Sequence, residues 1–225
     1  MPVVSLGVAA DWSVQAHVGE QLPDDRQLTE LLETLDTLGS HGFQVMVGHE
    51  HRRDPRWARH GLHEVYQLPT FALPADVAAQ LAVRLRPELT VRPAEGREEF
   101  VDVYGGWCGG HHLAEALVTV EDVTSGRHEY WVAEAEGTLV GTAMLHHGER
   151  SQYLSGIGVL VPFRGRGYGS AITALATVMA AGRLDAEGRP VDLVWMHASG
   201  DGAPLYERMG FQEVDRHVGL GTGQA

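Results

Sequence analysis

The 225-residue chain has no lysine and no asparagine, so all 17 of its basic residues are arginine. Any mechanism that needs a lysine of this chain is excluded. That removes the phosphate loop ending in Gly-Lys, Schiff-base chemistry and covalent attachment of pyridoxal phosphate. Cysteine is almost as scarce. With Cys108 alone, neither an intramolecular disulfide nor a cysteine-rich zinc knuckle can form, and a reducing compartment fits best. Positive charge is short as well: 17 arginines face 30 acidic residues, a formal charge of −13. Such a surface repels phosphate backbones and anionic lipids over a Debye length, so neither nucleic acid nor membrane is an expected partner. The first arginine is Arg26, so no basic n-region leads into an apolar stretch, and no run approaches the ~18 apolar residues of a membrane span. The expectation is a cytoplasmic protein. Isoleucine stands only at positions 157 and 172, a codon bias of GC-rich bacterial genomes with no bearing on function.

What is present is the composition of a folded protein, 44% hydrophobic and 21% charged, in a length that suits one full domain and part of another. The most informative internal feature is a weak repeat. Pro55-Arg56-Trp57-Ala58-Arg59-His60-Gly61-Leu62-His63-Glu64-Val65 aligns without gaps on Pro204-Leu205-Tyr206-Glu207-Arg208-Met209-Gly210-Phe211-Gln212-Glu213-Val214, an offset of 149 residues (210 − 61). Each copy follows an apolar run, 43–47 and 191–196, and each reads as strand, short helix, glycine stop, strand. Leu28, Leu31, Leu32, Leu35 and Leu38 add a helix at 3.6-residue spacing with Gly39 as its stop. Residues 1–82 are therefore expected to form a small α/β unit, with a boundary between Val83 and Pro93.

A second unit is expected from residue 90 to 218, followed by a flexible tail at 219–225. It opens with two helices over Glu95–Val123, broken by a mobile glycine-rich stretch at 105–110. A hairpin follows, Tyr130–Ala135 and Thr138–Leu145 around a Glu136-Gly137 turn. A buried strand then runs from Tyr153 to Val161, and Ile172, Leu175, Ala176 and Met179 mark one face of a helix.

Between that strand and that helix lies Arg164-Gly165-Arg166-Gly167-Tyr168-Gly169-Ser170. Unpaired N–H groups at a helix start, the positive end of the helix dipole, and glycines that let the backbone approach closely make an anion site, with a pyrophosphate as its natural guest. A plain helix cap is the other reading of the same residues. The Rossmann pattern fits poorly, because Ser170 stands where its third glycine would be.

Arg164-x-x-Gly167-x-Gly169 resembles the Arg/Gln-x-x-Gly-x-Gly/Ala signature of the GNAT family of acyl-CoA N-acyltransferases, and Leu205-Tyr206-x-x-x-Gly210-Phe211 resembles that family's closing motif. The resemblance covers about 90–218 and implies a mixed α/β fold of the GNAT type, preceded by a degenerate partial repeat of it. It further implies acetyl-CoA as co-substrate, with its pyrophosphate on Arg166 to Ser170 and its pantetheine arm along Ile157, Val159, Leu160 and Val161. Tyr206 is implied as the acid that protonates the leaving thiolate, and a main-chain N–H at Val159 or Leu160 as donor to the thioester oxygen. The acceptor is expected to be a small-molecule amine, tilted toward one of low pKa, and a homodimer is expected by resemblance alone. Two departures stand out: Val161, with Pro162 after it, where the family often has proline, and Ser199 where many members have asparagine.

The general base is left open among His146, His147, Glu149, Tyr153 and a water chain, because the strand before the loop carries no carboxylate. A metal site is not expected. Adjacent His111 and His112 diverge beside Cys108, and His49-Glu50-His51 lacks the spacer of a helical zinc motif. Trp57, at the position equivalent to Tyr206, lacks the phenol. The rival to an enzyme is a non-catalytic CoA-binding or protein-interaction module, and a third reading is a nucleotide-phosphate binder.

Overall fold

The structure, a computed structural model, describes residues 3–5, 14–38, 43–81, 86, 88–185, 187–199 and 202–222. Two compact units emerge, one of residues 1–70 with 213–225 and one of residues 71–212.

The first unit holds β1 (Val3–Ser5), β2 (Val14–His17), α1 (Asp25–Leu38), β3 (Gln44–Gly48), α2 (Pro55–Arg59) and most of β4 (His63–Pro74). A reciprocal capping box starts α1: the Gln27 N–H donates to Asp24 Oδ1 at 2.7 Å and the Asp24 N–H to Gln27 Oε1 at 3.0 Å. The helix buries Leu28, Leu31 and Leu35 against Val45, Val47 and Trp57. The expected strand, short helix, glycine stop and strand are all present, with Gly61 in the left-handed region at φ 73°.

The second unit runs α3 (Ala75–Ala78), β5 (Leu89–Pro93), α4 (Arg97–Cys108), α5 (His111–Leu117), α6 (Val120–Thr124), β6 (His128–Ala135), β7 (Thr138–His147), β8 (Ser151–Val159), α7 (Tyr168–Ala181), β9 (Leu193–His197) and α8 (Ala203–Arg208). Its strands lie in the order β4-β9-β8-β7-β6-β5, entered by the end of β4. The β5–β8 neighbours pair antiparallel and β8 pairs parallel with β9. The hairpin stands as expected, and both turn residues, Glu136 and Gly137, have positive φ. One face of this sheet packs Leu145, Leu154 and Val194 beside Ile172 and Ala176 of α7. The other face packs Val132 and Met144 beside Phe100 and Tyr104 of α4.

Four expectations change. Helix α4 continues through Gly105 and Gly106, and the break is confined to Gly109 and Gly110, at φ 119° and 120°. The two helical glycines serve close packing: a Cβ on Gly105 would sit 2.8 Å from His111 Cα, and one on Gly106 2.5 Å from Leu160 Cδ2. The strand expected to reach Val161 ends at Val159, because Pro162 has no N–H to give a neighbour and residues 161–163 turn as a 3₁₀ helix. The tail expected from 219 is ordered through Gly221, since the last strand, β10 (Gln212–Gly221), pairs antiparallel with β3, Leu220 opposite Val45. That pairing puts β10 in the first unit, so the units part at Thr70/Phe71 and Gln212/Glu213 rather than at 82–90. Of the expected boundary, positions 83–85 and 87 lie outside the described residues, while Leu89–Pro93 is an edge strand.

Candidate active site

Strand β8 loses its partner midway. Its parallel register with β9 runs from Ser151↔Leu193 to Leu154↔Met196, and β8 then continues to Val159. On the opposite edge a bulge shifts the β7 register between Thr142 and Met144. A polar chain holds this bulge: Trp107 Nε1 donates to Thr142 Oγ1 at 3.0 Å, and that hydroxyl donates to the Gly156 carbonyl at 2.8 Å. Gly156 has φ 56°, and a Cβ on Gly158 would lie 2.2 Å from the Trp107 ring. Glycine is required at both positions.

The Leu160 N–H donates to the Val140 carbonyl at 2.8 Å. Antiparallel pairs alternate, so the Val159 N–H and C=O turn to the unpartnered edge. Of the two residues expected to offer a free donor, Val159 therefore has it and Leu160 does not. Arg164 Nε donates to the Val159 carbonyl at 3.0 Å, so the first arginine of the motif pins the strand end. Ile157 is half-buried against the α7-side core, and Val161 is exposed on the 3₁₀ turn.

The motif turn has Gly165 at φ 75° and Gly167 at φ 80°, the latter as N-cap of the 14-residue helix α7. The N–H groups of the first helical turn have no acceptor within the helix, and they point out at its positive end. Tyr168 buries its ring in the core, so only its backbone faces the turn, while Arg166 lies over the Phe163 ring at 5.5 Å. Gly167, Ser170, Ala171 and Ala174 line a cavity of about 450 Å³ together with Arg86, Arg208 and Met209. Two of these cations escaped the sequence reading. Arg208 lay within the closing motif but outside its fixed positions, and Arg86 carried no signal, being brought over Gly167 by tertiary structure alone.

Tyr206 sits on α8, buried between Phe71 and Phe211, with ring centroids 6.1 Å from each. Gly202 gives its ring room, since a Cβ there would lie 3.2 Å from the hydroxyl. Burial raises the Tyr206 phenol and keeps it protonated at neutral pH. Burial first, then the neighbouring Tyr206, pushes Tyr153 up to about 12.

The register sets a row across four strands: His128 opposite His146, His146 opposite Tyr153, Tyr153 opposite Trp195. His146 Nδ1 lies 2.8 Å from His128 Nδ1, and His146 Nε2 lies 2.5 Å from Ser155 Oγ. The Tyr153 ring stacks on Trp195 at 4.3 Å. Tyr104 and Leu117 roof the row, and with His128, Tyr130, Met144, His146, Tyr153, Ser155 and Gly156 they line a cavity of about 300 Å³. Of the four side chains weighed as bases, His146 and Tyr153 line this cavity. His147 is tied to Glu129 at 3.1 Å, beside Arg183 on the same carboxylate, and Glu149 is exposed. His128 was overlooked because only strand register brings it to His146, and Ser155 because it looks like any strand serine.

The remaining suggestive residues have local partners. His111 bonds to Asp102 at 2.9 Å, burial pushes the Cys108 thiol up, and His51 meets Glu50 at 3.5 Å. Among the described residues no three His, Cys, Asp or Glu side chains gather as metal ligands, and no helix is long and apolar enough to cross a membrane.

Residues 126–213 match the family model described as an acetyltransferase (GNAT) domain. The GCN5-related N-acetyltransferase of Kribbella flavida superposes with a TM-score of 0.69 at 20% identity, over 97% of this chain and 85% of that one. That of Sphaerobacter thermophilus gives 0.60 at 20% identity, over 92% and 72%. A tandem GNAT protein from the clavulanic acid biosynthesis pathway gives 0.63 at 15% identity, over 89% and 70%. At these identities the likeness is one of fold. Among curated proteins none matches the sequence.

Proposed function

We propose that the protein moves the acetyl group of acetyl-CoA to a primary amine of a small molecule, by direct attack in a ternary complex in the cytoplasm. The observation that carries this reading is the unpartnered edge of β8, which presents the Val159 N–H and leads directly into the glycine turn at the start of α7. Acetyl-CoA would supply the acyl group as a thioester, its diphosphate over the backbone of Arg166 to Ser170 and its pantetheine arm along Ile157 to Val161. The turn suits a diphosphate by dipole and by open N–H groups, and Arg86 and Arg208 add full charges to the same cavity.

The chain's own groups then divide the work. The Val159 N–H donates to the thioester oxygen as the C–N bond forms and charge collects there, a contribution of about 10²–10³ in rate for one such donor. Tyr206, a phenol protonated at neutral pH and raised further by burial, gives its proton to the sulfur as the C–S bond breaks. His146 takes the proton of the attacking amine through Ser155 Oγ and can share it with His128. This chain of groups answers the missing carboxylate on β8.

The test is CoA release with acetyl-CoA and a panel of primary amines. Release that depends on amine supports the reading, and acetyl-CoA binding without release for every amine overturns it in favour of a non-catalytic module.

A further inference from the structure

The cavity over the histidine row is built differently from the rest of this acidic protein. Of its lining residues none is aspartate, glutamate or arginine, although the chain has 30 acidic residues and 17 arginines. Its polar groups are hydroxyls and imidazoles alone, and among them Ser155 Oγ meets His146 Nε2 at 2.5 Å. The other walls are the Tyr104 and Tyr130 rings, Leu117 and Met144.

We propose that this pocket takes an arylalkyl monoamine, a single amino group on a short tail carrying an aromatic body. The inference rests on the acetyltransferase reading and names the acceptor of that same site. A polyamine would bring a second ammonium that meets no carboxylate in the walls, and an amino acid a carboxylate that meets no guanidinium. Either charge would be desolvated without a partner. An amino sugar would lay part of its hydroxyls on the Leu117 and Met144 side chains, where lost water contacts go unreplaced. An aromatic body instead gains edge and stacking contacts with Tyr104 and Tyr130. At about 300 Å³ the cavity suits one ring and a short tail, the low end of the range for small-molecule sites.

The experiment measures kcat/KM for 2-phenylethylamine, spermidine, glucosamine and glutamate with acetyl-CoA, using the full chain and a Leu117→Asp variant. Leu117 is only half-buried, and the melting shift produced by acetyl-CoA checks that the variant is folded. The expected result is a preference of about tenfold or more for 2-phenylethylamine, moved toward spermidine by a similar factor in the variant. A charged or sugar amine ahead of 2-phenylethylamine, or an unmoved ratio in a folded variant, overturns the inference while leaving the acetyltransferase reading intact. Release with none of the four, in protein that acetyl-CoA stabilises, instead counts against amine acetylation itself and removes the inference with it.

Discussion

The turn that carries Trp57 and the turn that carries Tyr206 share their backbone bonds almost atom for atom. The N–H groups of His60, Gly61 and Leu62 donate to Trp57, Ala58 and Trp57, and those of Met209, Gly210 and Phe211 donate to Tyr206, Glu207 and Tyr206. Gly61 and Gly210 both close the turn at positive φ, 73° and 92°. The difference lies in what surrounds the aromatic ring. Asp54 caps the first turn, accepts both arms of Arg56 at 2.8 Å, and that arginine also donates to the Pro23 carbonyl at 2.6 Å. Trp57 Nε1 is committed to the His51 carbonyl at 2.7 Å. The second turn has Gly202 at its cap, no side-chain cap bond, and a Tyr206 hydroxyl with no hydrogen-bond partner among the described residues. One frame thus anchors a core in the first unit and keeps a donor available beside an opened strand in the second.

The largest effect expected from breaking this comparison is on stability. Trp57→Ala removes a fully packed indole and its bond, and denaturant unfolding should show a loss of about 3–5 kcal/mol. A loss below about 1 kcal/mol would mean that the first turn is no anchor. Next comes Tyr206→Phe, which keeps the ring and removes the proton. Turnover should fall by about 10²-fold with KM for acetyl-CoA unchanged, whereas full turnover would remove Tyr206 as the acid. Gly167→Ala strains a residue at φ 80° and puts a Cβ 2.5 Å from the Arg86 guanidinium. Its KM for acetyl-CoA should rise by about tenfold, the equivalent of roughly 1.4 kcal/mol, and an unchanged KM would place the phosphates elsewhere.

The smallest effect sharpens the first turn. Asp54→Ala should cost about 1 kcal/mol through the lost cap. The Arg56 side chain holds the Asp54 carboxyl well below the usual carboxylate range. A depressed folded pKa gives stability that is present above the unfolded value and lost as pH falls toward the folded one. The gap between wild type and variant should therefore stay constant from neutral pH down to about 5 and close below about 4. A gap that widens in acid would contradict the Arg56 pairing.

Much of this was legible because it is local. The Glu136-Gly137 hairpin, the α7 periodicity and the two glycine-stopped turns each depend on residues a few positions apart, and each stands where spacing put it. The end of β8 was missed by two residues, because Pro162 makes itself felt before its own position. The helical course of Gly105 and Gly106 was missed because glycine there answers to His111 and Leu160, not to its neighbours. Strand β10 could not be assigned to the first unit from sequence, since its partner β3 lies far away along the chain. In the site, the motif residues were readable as a string, while Arg86, His128 and Ser155 become meaningful only through the folds that carry them to Gly167 and His146.

The most direct test of the account is thermal melting of the full chain with acetyl-CoA, with ATP, and with neither, repeated on Gly167→Ala. Saturating acetyl-CoA, at about a hundred times its Kd, should stabilise the wild type by roughly 2.7 kcal/mol, raising Tm by several degrees, with ATP weaker and the variant's shift much reduced at equal ligand. Equal protection by ATP, or an undiminished acetyl-CoA shift in the variant, would contradict a diphosphate seat on the backbone from Arg166 to Ser170.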